Sequence, residues 1–419
     1  MNIVLLTHYY WPEVGAPQRR WSSLVSYLTG RGHRLIVVAP HPHYPHRSRD
    51  EFFGSQVGLR RRRVSARLGG TWDTGMHGER VLRVPYLQSG ASMASQILDQ
   101  TVAAGGAANA VLSRMRGAYA PDVLISTTPA LPFLLAGDAV SRRLNVPHIA
   151  EVRDAWPDLI HELSLVSAAG GRLLPSRIAG ALERSVLPNV LTRAQQRAQA
   201  VVVTTSAFQQ QLLQRGIKAE VVRSGVSRSE AEASAHSSKG SHSGFHLLYV
   251  GTVGRSQDLR CAIEASVRVP GLTLRIVGHG ADKPALERLA VRLHAPVEFY
   301  DQAIGAALVD HWSWADAGLV SLGDVPAHLR TVPSKLYSLM VRNVPVLGIV
   351  DGEAAAIIEQ NQAGITARPG DVGSIAEAMK DMSEQTAGTG ENARRWVLEN
   401  ASADVMGKQY EAIIERAGR

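Results

Sequence analysis

The stretch Asn2 to Pro40, "NIVLLTHYYWPEVGAPQRRWSSLVSYLTGRGHRLIVVAP", sets the fold class. "NIVLLTH" is a short β-branched, apolar run and reads as a buried strand. A turn-rich loop, "YYWPEVGAPQRR", comes after it. "WSSLVSYLTGRG" then spaces its apolar residues near the helical period and ends at Gly30 and Gly32, a helix with a glycine stop. "HRLIVVAP" is a second strand. Strand, helix and strand in so short a span make a βαβ unit, which implies a parallel sheet.

The same alternation runs outward from this unit. "DVLISTT", "PHIAEV" and "AVVVTTS" read as further strands, each followed by loop residues and a helical pattern. Arg223 to Gly244, "RSGVSRSEAEASAHSSKGSHSG", is small, polar and rich in Ser and His, and reads as a linker or long surface loop. The alternation then restarts with strands "FHLLYVGTVG", "LTLRIVGHG", "VEFYD", "AGLVSL" and "VPVLGIV". Between and after them lie helical patterns in "SQDLRCAIEASVRV", "DKPALERLAVRL", "PSKLYSLMVR" and "SADVMGKQYEAIIERAG". The expected architecture is α/β, two doubly wound domains in tandem. Their bounds are 1–225, a linker at 226–244, 245–400, and a C-terminal helix at 401–419 that packs back on the first domain.

Composition agrees with that size. At 419 residues the chain exceeds what one hydrophobic core usually serves, and 45% hydrophobic with 20% charged residues is a globular profile. A single cysteine, Cys261, excludes an internal disulfide framework and a cysteine-built zinc site. The net charge of +8 points to anionic partners: phosphorylated substrates, an anionic membrane surface or nucleic acid. Nucleic acid recedes, because aromatics are only 5% and no recognition module appears. The run "LRRRR", Leu59–Arg63, reads as a solvated loop, with membrane attraction and phosphate binding as alternatives. "MNIVLLTHYY" lacks a basic leading region, so no signal peptide is expected, and no stretch has the length of a spanning helix. Ala91 to Leu112 reads as a buried or interfacial helix. The expected location is cytoplasmic, with peripheral attachment at the inner face of the plasma membrane that weakens as salt rises.

Open α/β sheets bind ligands at the C-terminal ends of their strands, so the loops there are searched for chemistry. After the first strand, Gly15 and Ala16 allow close backbone approach, and Arg19 and Arg20 sit where a helix begins. The plain alternative is an ordinary turn. In "EVRDAWPDLIHE", Arg153, Asp154, Asp158 and His161 cluster at a strand end, able to orient hydroxyls or take a proton. There the alternative is Asp154 as a helix cap. "VGTVGRSQDL" and "VGHGADK", with Gly254 and Gly278, expose backbone N–H groups that suit phosphate or sugar oxygens. In "VPSKLYSLMVRNVPVLG", Lys335 stands at a helix start, the wrong end for a cation. An anion such as a diphosphate between Lys335 and the helix N-terminus removes the misfit; a solvated lysine is the alternative.

Taken together, "HYYWPEVGAPQRRW", "VRDAWPD", "LLYVGTVGRSQDL", "LRIVGHG" and "VPSKLYSLMVRNVPVLG…DGEAAAIIEQNQAGI" resemble the retaining glycosyltransferases of family 4. The resemblance covers nearly the whole chain and is nearest the subgroup that transfers amino- or deoxy-sugars in bacterial surface polysaccharide assembly. It implies the GT-B fold, two Rossmann-like domains facing across a cleft. The first domain would bind the acceptor, a lipid-linked or cell-envelope glycan precursor. The second would bind a nucleotide sugar, expected to be a UDP-sugar. It implies no cofactor and no metal. Asp154, Arg153 and His161 would face the reacting sugar. Gly15, Ala16, Arg19, Thr252, Gly254, Gln257, Gly278, Lys335, Ser338 and Glu353 would hold the donor, Lys335 taking its diphosphate.

The chain departs from the family's pattern in places. Many members carry a spaced pair of glutamates where this chain has Arg330 and Ser338, the second of them binding the nucleotide ribose. Thr252 and Gln257 stand where many have Arg and Lys, and Asn343 replaces a glycine. Nucleotide recognition is therefore expected to differ. A non-catalytic binding or scaffold subunit of the same fold stays as an alternative, as does a transferase acting on a small soluble acceptor. A nucleotide-sugar epimerase would need more acids than Asp154 and Asp158.

Overall fold

A computed structural model of the chain describes residues 1–13, 15–43, 70–87, 93–154, 180–232, 243–303, 305–384 and 391–419. The chain forms two compact units, Met1–Arg223 with Met406–Arg419, and Ser224–Val405.

The first unit is built on an eight-stranded sheet. Its strands are β1 (Asn2–Leu6), β2 (Arg34–Pro40), β3 (Thr71–Thr74), β4 (Arg80–Val84), β5 (Val123–Thr127), β6 (His148–Glu151), β7 (Ala200–Val203) and β8 (Ala219–Val221). Their order is β3-β4-β2-β1-β5-β6-β7-β8, with β3 antiparallel and the rest parallel. From Ile3 to Leu6, β1 is apolar because both its faces are covered. Ile3 and Leu5 enter one core with Trp21, Leu24 and Leu28, while Val4 and Leu6 enter another with Ala103, Ala107 and Phe133.

Helix Ala16–Gly30 begins earlier than its apolar period suggests, since Pro17 suits the first turn. It buries Trp21, Leu24, Val25 and Leu28 at the spacing of one helical face. Helix Met93–Arg114 is the small-residue segment near Ala91–Leu112. Ala103, Ala107, Ala110 and Val111 are buried against the sheet, and no described helix is long and apolar enough to cross a membrane. In helix Ala403–Ala417, Met406, Tyr410, Ile413 and Ile414 join the first unit's core. Gly407 permits this packing, because a Cβ there would lie 2.3 Å from the Tyr27 ring.

The second unit has six strands: β9 (Phe245–Val250), β10 (Leu272–Val277), β11 (Val297–Tyr300), β12 (Ala317–Ser321), β13 (Val346–Ile349) and β14 (Gly364–Ala367). All are parallel, in the order β11-β10-β9-β12-β13-β14. Counted from β9, this is the 3-2-1-4-5-6 order of dinucleotide-binding sheets. The winding direction reverses between β9 and β12, and ligands of such sheets sit beyond the strand ends at that point.

Four strands escape a reading by pattern. β3 and β4 mix charged with apolar residues, β8 has three residues, and β14 opens on a glycine. The polar stretch after Arg223 also holds structure. Val226 bridges to Ser402, and Ser227 and Glu230 exchange hydrogen bonds at the start of helix Arg228–Glu232, a capping box. The helix read through Ser256 to Val269 is shorter, Leu259–Ser266, because Asp258 takes a left-handed backbone (φ 37°) before it.

His148, at the start of β6, is 3% exposed, and its Nε2 lies 2.8 Å from the Ser126 hydroxyl. Burial lowers its pKa to about 4. The unfolded chain takes up this proton below about pH 6.5, before the folded state does, so stability falls as pH drops. The contribution is whole above about pH 6.5 and is lost on approaching pH 4, amounting to roughly 3 kcal/mol. Urea unfolding of wild type and His148→Gln across this range should show that slope only in wild type. Equal slopes would remove His148 as its source.

Candidate functional site

In the second unit the site starts from a backbone constraint. The chain leaving β9 and the chain leaving β10 stay paired beyond the strands. Gly251 N–H donates to the Val277 carbonyl, Val253 N–H to that of His279, and Asp282 N–H to that of Val253. They approach so closely that a Cβ on Gly278 would lie 1.9 Å from the Gly251 oxygen, and Gly278 also has φ +153°. Only glycine satisfies both conditions.

Lys335 reaches this corner from helix Ser334–Val341. Its Nζ lies 3.8 Å above the centre of the Tyr249 ring, and a Cβ on Gly251 would lie 3.1 Å from that Nζ. Tyr249 cannot swing away, since its hydroxyl donates to the Thr252 carbonyl at 2.5 Å. Burial raises its pKa, so it stays neutral under the ammonium. The helix start has neither an acidic residue in its first turn nor a side-chain cap. A cation, a helix N-terminus and two glycine turns thus gather at one end of a parallel sheet, the combination that favours a phosphate.

Other expected donor residues are placed around this corner. Gln257 closes a short turn, its N–H donating to the Gly254 carbonyl, and its own carbonyl accepts from the Ser321 hydroxyl at 2.6 Å. That bond ties the β9 loop to the end of β12, across the point of reversal. Thr252 is exposed, and Gly254 and Gln257 are half-buried. Glu353 lies in the first turn of helix Gly352–Gln360, after β13, at the same end of the sheet. Ser338 has a packing partner: its hydroxyl donates to Glu230 Oε1 at 2.9 Å, where Arg342 also binds at 3.3 Å.

The first unit places its expected residues differently. Gly15 precedes helix Ala16–Gly30 in extended backbone, and Ala16 and Arg19 are exposed. The neighbouring Arg20 is 2% exposed and faces Glu151, which is fully buried at the end of β6. Glu151 Oε2 accepts from Arg20 Nε, and Arg20 Nη2 lies at the same 3.0 Å. Its Oε1 accepts from Trp21 Nε1 at 3.1 Å and from the Thr127 hydroxyl at 2.7 Å. Burial alone would raise the Glu151 pKa, but Arg20, Arg153 and these donors hold it below the ordinary value.

Arg153 donates to the Thr128 carbonyl and lies 3.6 Å from Glu151, so its guanidinium belongs to this network. Asp154 comes next, half-buried; His161 and Asp158 lie outside the described residues. The sequence reading missed Tyr249, Gly251 and Glu151. For the glycine the signal was present in "YVGTVG"; for Glu151 nothing local marked it. It also missed a cluster of His8, His43 and Asp99 at the ends of β1 and β2.

Known proteins resemble the chain in sequence family and in fold. Residues 15–224 match the glycosyl transferase 4-like domain, and residues 244–385 match the glycosyl transferases group 1 domain. No curated protein sequence matches. Sucrose-phosphate synthase from Thermosynechococcus elongatus superposes with a TM-score of 0.67 at 14% identity, covering 99% of this chain and 98% of that one. HepE of Anabaena, in complex with UDP, gives 0.67 at 13% identity, covering 99% and 100%. A lipopolysaccharide outer core galactosyltransferase, WaaB, gives 0.62 at 12% identity, covering 99% of each chain. At such identities the likeness is one of fold, that of the GT-B glycosyltransferases.

Replacing Glu151 by Gln leaves Arg20 buried without its counter-charge and should cost roughly 3–5 kcal/mol in urea unfolding at pH 7. The wild-type ion pair contributes fully above about pH 4.3 and fades as pH falls through the depressed folded pKa. Glu151→Gln should therefore also flatten the acid limb of the stability curve. An unchanged midpoint would mean that the network carries no net stability.

Proposed function

The chain belongs to the glycosyl transferase 4-like family, and on that basis we propose that it transfers a sugar, with retention, from a UDP-sugar to a lipid-linked or cell-envelope glycan precursor. One observation carries the donor half of this reading. Lys335 is held on the Tyr249 ring at a helix N-terminus, beside the glycine turns of β9 and β10. That is a phosphate environment, and the reversal of winding beside it is where such sheets take nucleotides. HepE, a neighbour in fold, is described with UDP, which puts uridine first among the bases to test.

In the proposed reaction the acceptor hydroxyl attacks the anomeric carbon from the face that the diphosphate leaves. The bond from that carbon to the diphosphate oxygen breaks, the bond to the acceptor oxygen forms, and the departing diphosphate takes the acceptor proton. Lys335 and the N-terminus of its helix would stabilise the charge growing on the leaving group. No protein nucleophile is needed. Glu353 would lie by the donor sugar and Asp154 by the acceptor hydroxyl. Arg153, engaged with Thr128 and Glu151, would hold the loop that carries Asp154. No cofactor or metal enters this step. The acceptor class rests on the basic net charge of +8, which suits the anionic cytoplasmic face of a membrane.

Thermal unfolding with UDP and calorimetric titration test the donor site together. UDP at about 100 times its Kd should stabilise wild type by roughly 2.7 kcal/mol. Lys335→Ala removes a charged hydrogen-bond donor and should weaken UDP binding by roughly 10- to 100-fold, while the unliganded protein keeps its stability. Equal UDP affinity in the two proteins would reject Lys335 as the diphosphate anchor. Binding of no nucleoside diphosphate at all would reject the transferase reading in favour of a non-catalytic subunit.

A further inference from the structure

The first unit also holds a cluster of titratable side chains that is separate from the residues named for the proposed transfer. His8 comes after β1, His43 after β2, and Asp99 lies on helix Met93–Arg114. His8 is 3% exposed and Asp99 2% exposed, so two chemically active side chains are buried together. The ring of His43 is fixed from one side by Tyr86, stacked at 4.5 Å and 17°. The ring of His8 is fixed by edge contacts to Phe133 and His43.

Hydrogen bonds hold two of the three side chains, His43 and Asp99, in place. His43 Nδ1 lies 2.7 Å from the His41 carbonyl, which can only accept, so Nδ1 carries the proton. In a neutral ring this leaves the Nε2 lone pair facing Asp99 Oδ2, 3.5 Å away. His8 Nε2 faces the same oxygen at 3.4 Å, and His8 Nδ1 is buried without a hydrogen-bond partner among the described residues. The other oxygen, Oδ1, accepts from the Leu87 N–H at 3.1 Å, which holds the carboxylate in place. A lone pair aimed at a carboxylate is repulsive unless a cation lies between them.

The separations indicate which cation. An imidazolium paired with a carboxylate closes to about 2.7–2.9 Å. Here two rings share one oxygen at 3.4 and 3.5 Å, both well beyond that. Two ligands about 2.0–2.1 Å from a tetrahedral Zn²⁺ lie about 3.3–3.5 Å apart, which is the spacing observed. The three ligand atoms all lie within 4.8 Å of one another. We propose that His8 Nε2, His43 Nε2 and Asp99 Oδ2 form a binding site for a divalent transition-metal ion of the Zn²⁺ type. Two imidazoles with one carboxylate suit Zn²⁺ rather than Mg²⁺ or Ca²⁺, which prefer oxygen ligands. Three protein ligands leave a coordination position open to an oxygen of a small ligand. His43 is supported from behind by the His41 carbonyl on Nδ1 and by Glu13 Oε1, which lies 3.7 Å from that nitrogen and accepts the His43 backbone N–H at 2.8 Å.

The test uses the full-length chain and the metal alone. Protein stripped with a chelator is dialysed against Zn²⁺, and bound zinc is counted by mass spectrometry. A parallel sample with Co²⁺ is read for the visible absorption of a four-coordinate ion. Wild type should take up one Zn²⁺ per chain and show the Co²⁺ band. Asp99→Asn keeps an acceptor for the Leu87 N–H, and His43→Gln keeps the backbone bond to Glu13. Both should fold, as circular dichroism would show, and each should weaken Zn²⁺ binding by more than about 100-fold. Should either fail to fold, the other decides. Wild type that takes up no zinc makes the occupant a proton and overturns the proposal. Zinc retained equally by both variants places the metal elsewhere and also overturns it. Neither result depends on nucleotide binding, so the donor-site reading stands or falls separately.

Discussion

The buried pair of Glu151 and Arg20 holds the first unit together. A carboxylate with no solvent exposure is costly to bury, and the cost is offset only where counter-charge and hydrogen bonds surround it. Glu151 has both: Arg20 and Trp21 from one helix, Thr127 from β5, and Arg153 from its own loop. Arg20 extends the network further. Its Nη1 donates to the Arg223 carbonyl at 2.9 Å and lies 3.3 Å from Met406 Sδ. Those residues are where the chain leaves the first unit and where it returns. One buried ion pair therefore fixes the sheet, the first helix and both crossings of the chain.

The second unit rests on a different constraint, the approach of two backbones. Gly251 and Gly278 bring the ends of β9 and β10 together without side chains, and their N–H groups donate to the Val277 and Tyr300 carbonyls. Lys335 is then placed against this surface by Tyr249, whose hydroxyl is itself fastened to the loop. The ammonium lies over this aromatic face at the start of helix Ser334–Val341, where a cation and a helix N-terminus together favour an anion. At Ser338, where the resemblance implied a glutamate, this chain has a hydroxyl engaged with Glu230, and that acid serves the capping box of helix Arg228–Glu232.

Local period and punctuation carry much of the fold. Apolar runs such as "NIVLL" and "LTLRIV", each closed by a loop with glycine or proline, mark parallel strands because both faces of such a sheet are buried. The position of Lys335 was also legible, since the direction of a helix and the residue at its start are both local facts. Short or charge-bearing strands, β3, β4, β8 and β14, lack that local signature and are defined by the neighbours they pair with. Which side chains meet is settled only in three dimensions. Glu151 pairs with Arg20 across 131 positions, Ser338 meets Glu230 across 108, and His8, His43 and Asp99 converge from two strand ends and a helix. The physical reason is the crossover order of the sheet. Each strand's own pattern sets its buried faces, but the neighbour beside each strand end is chosen by the winding of the whole chain.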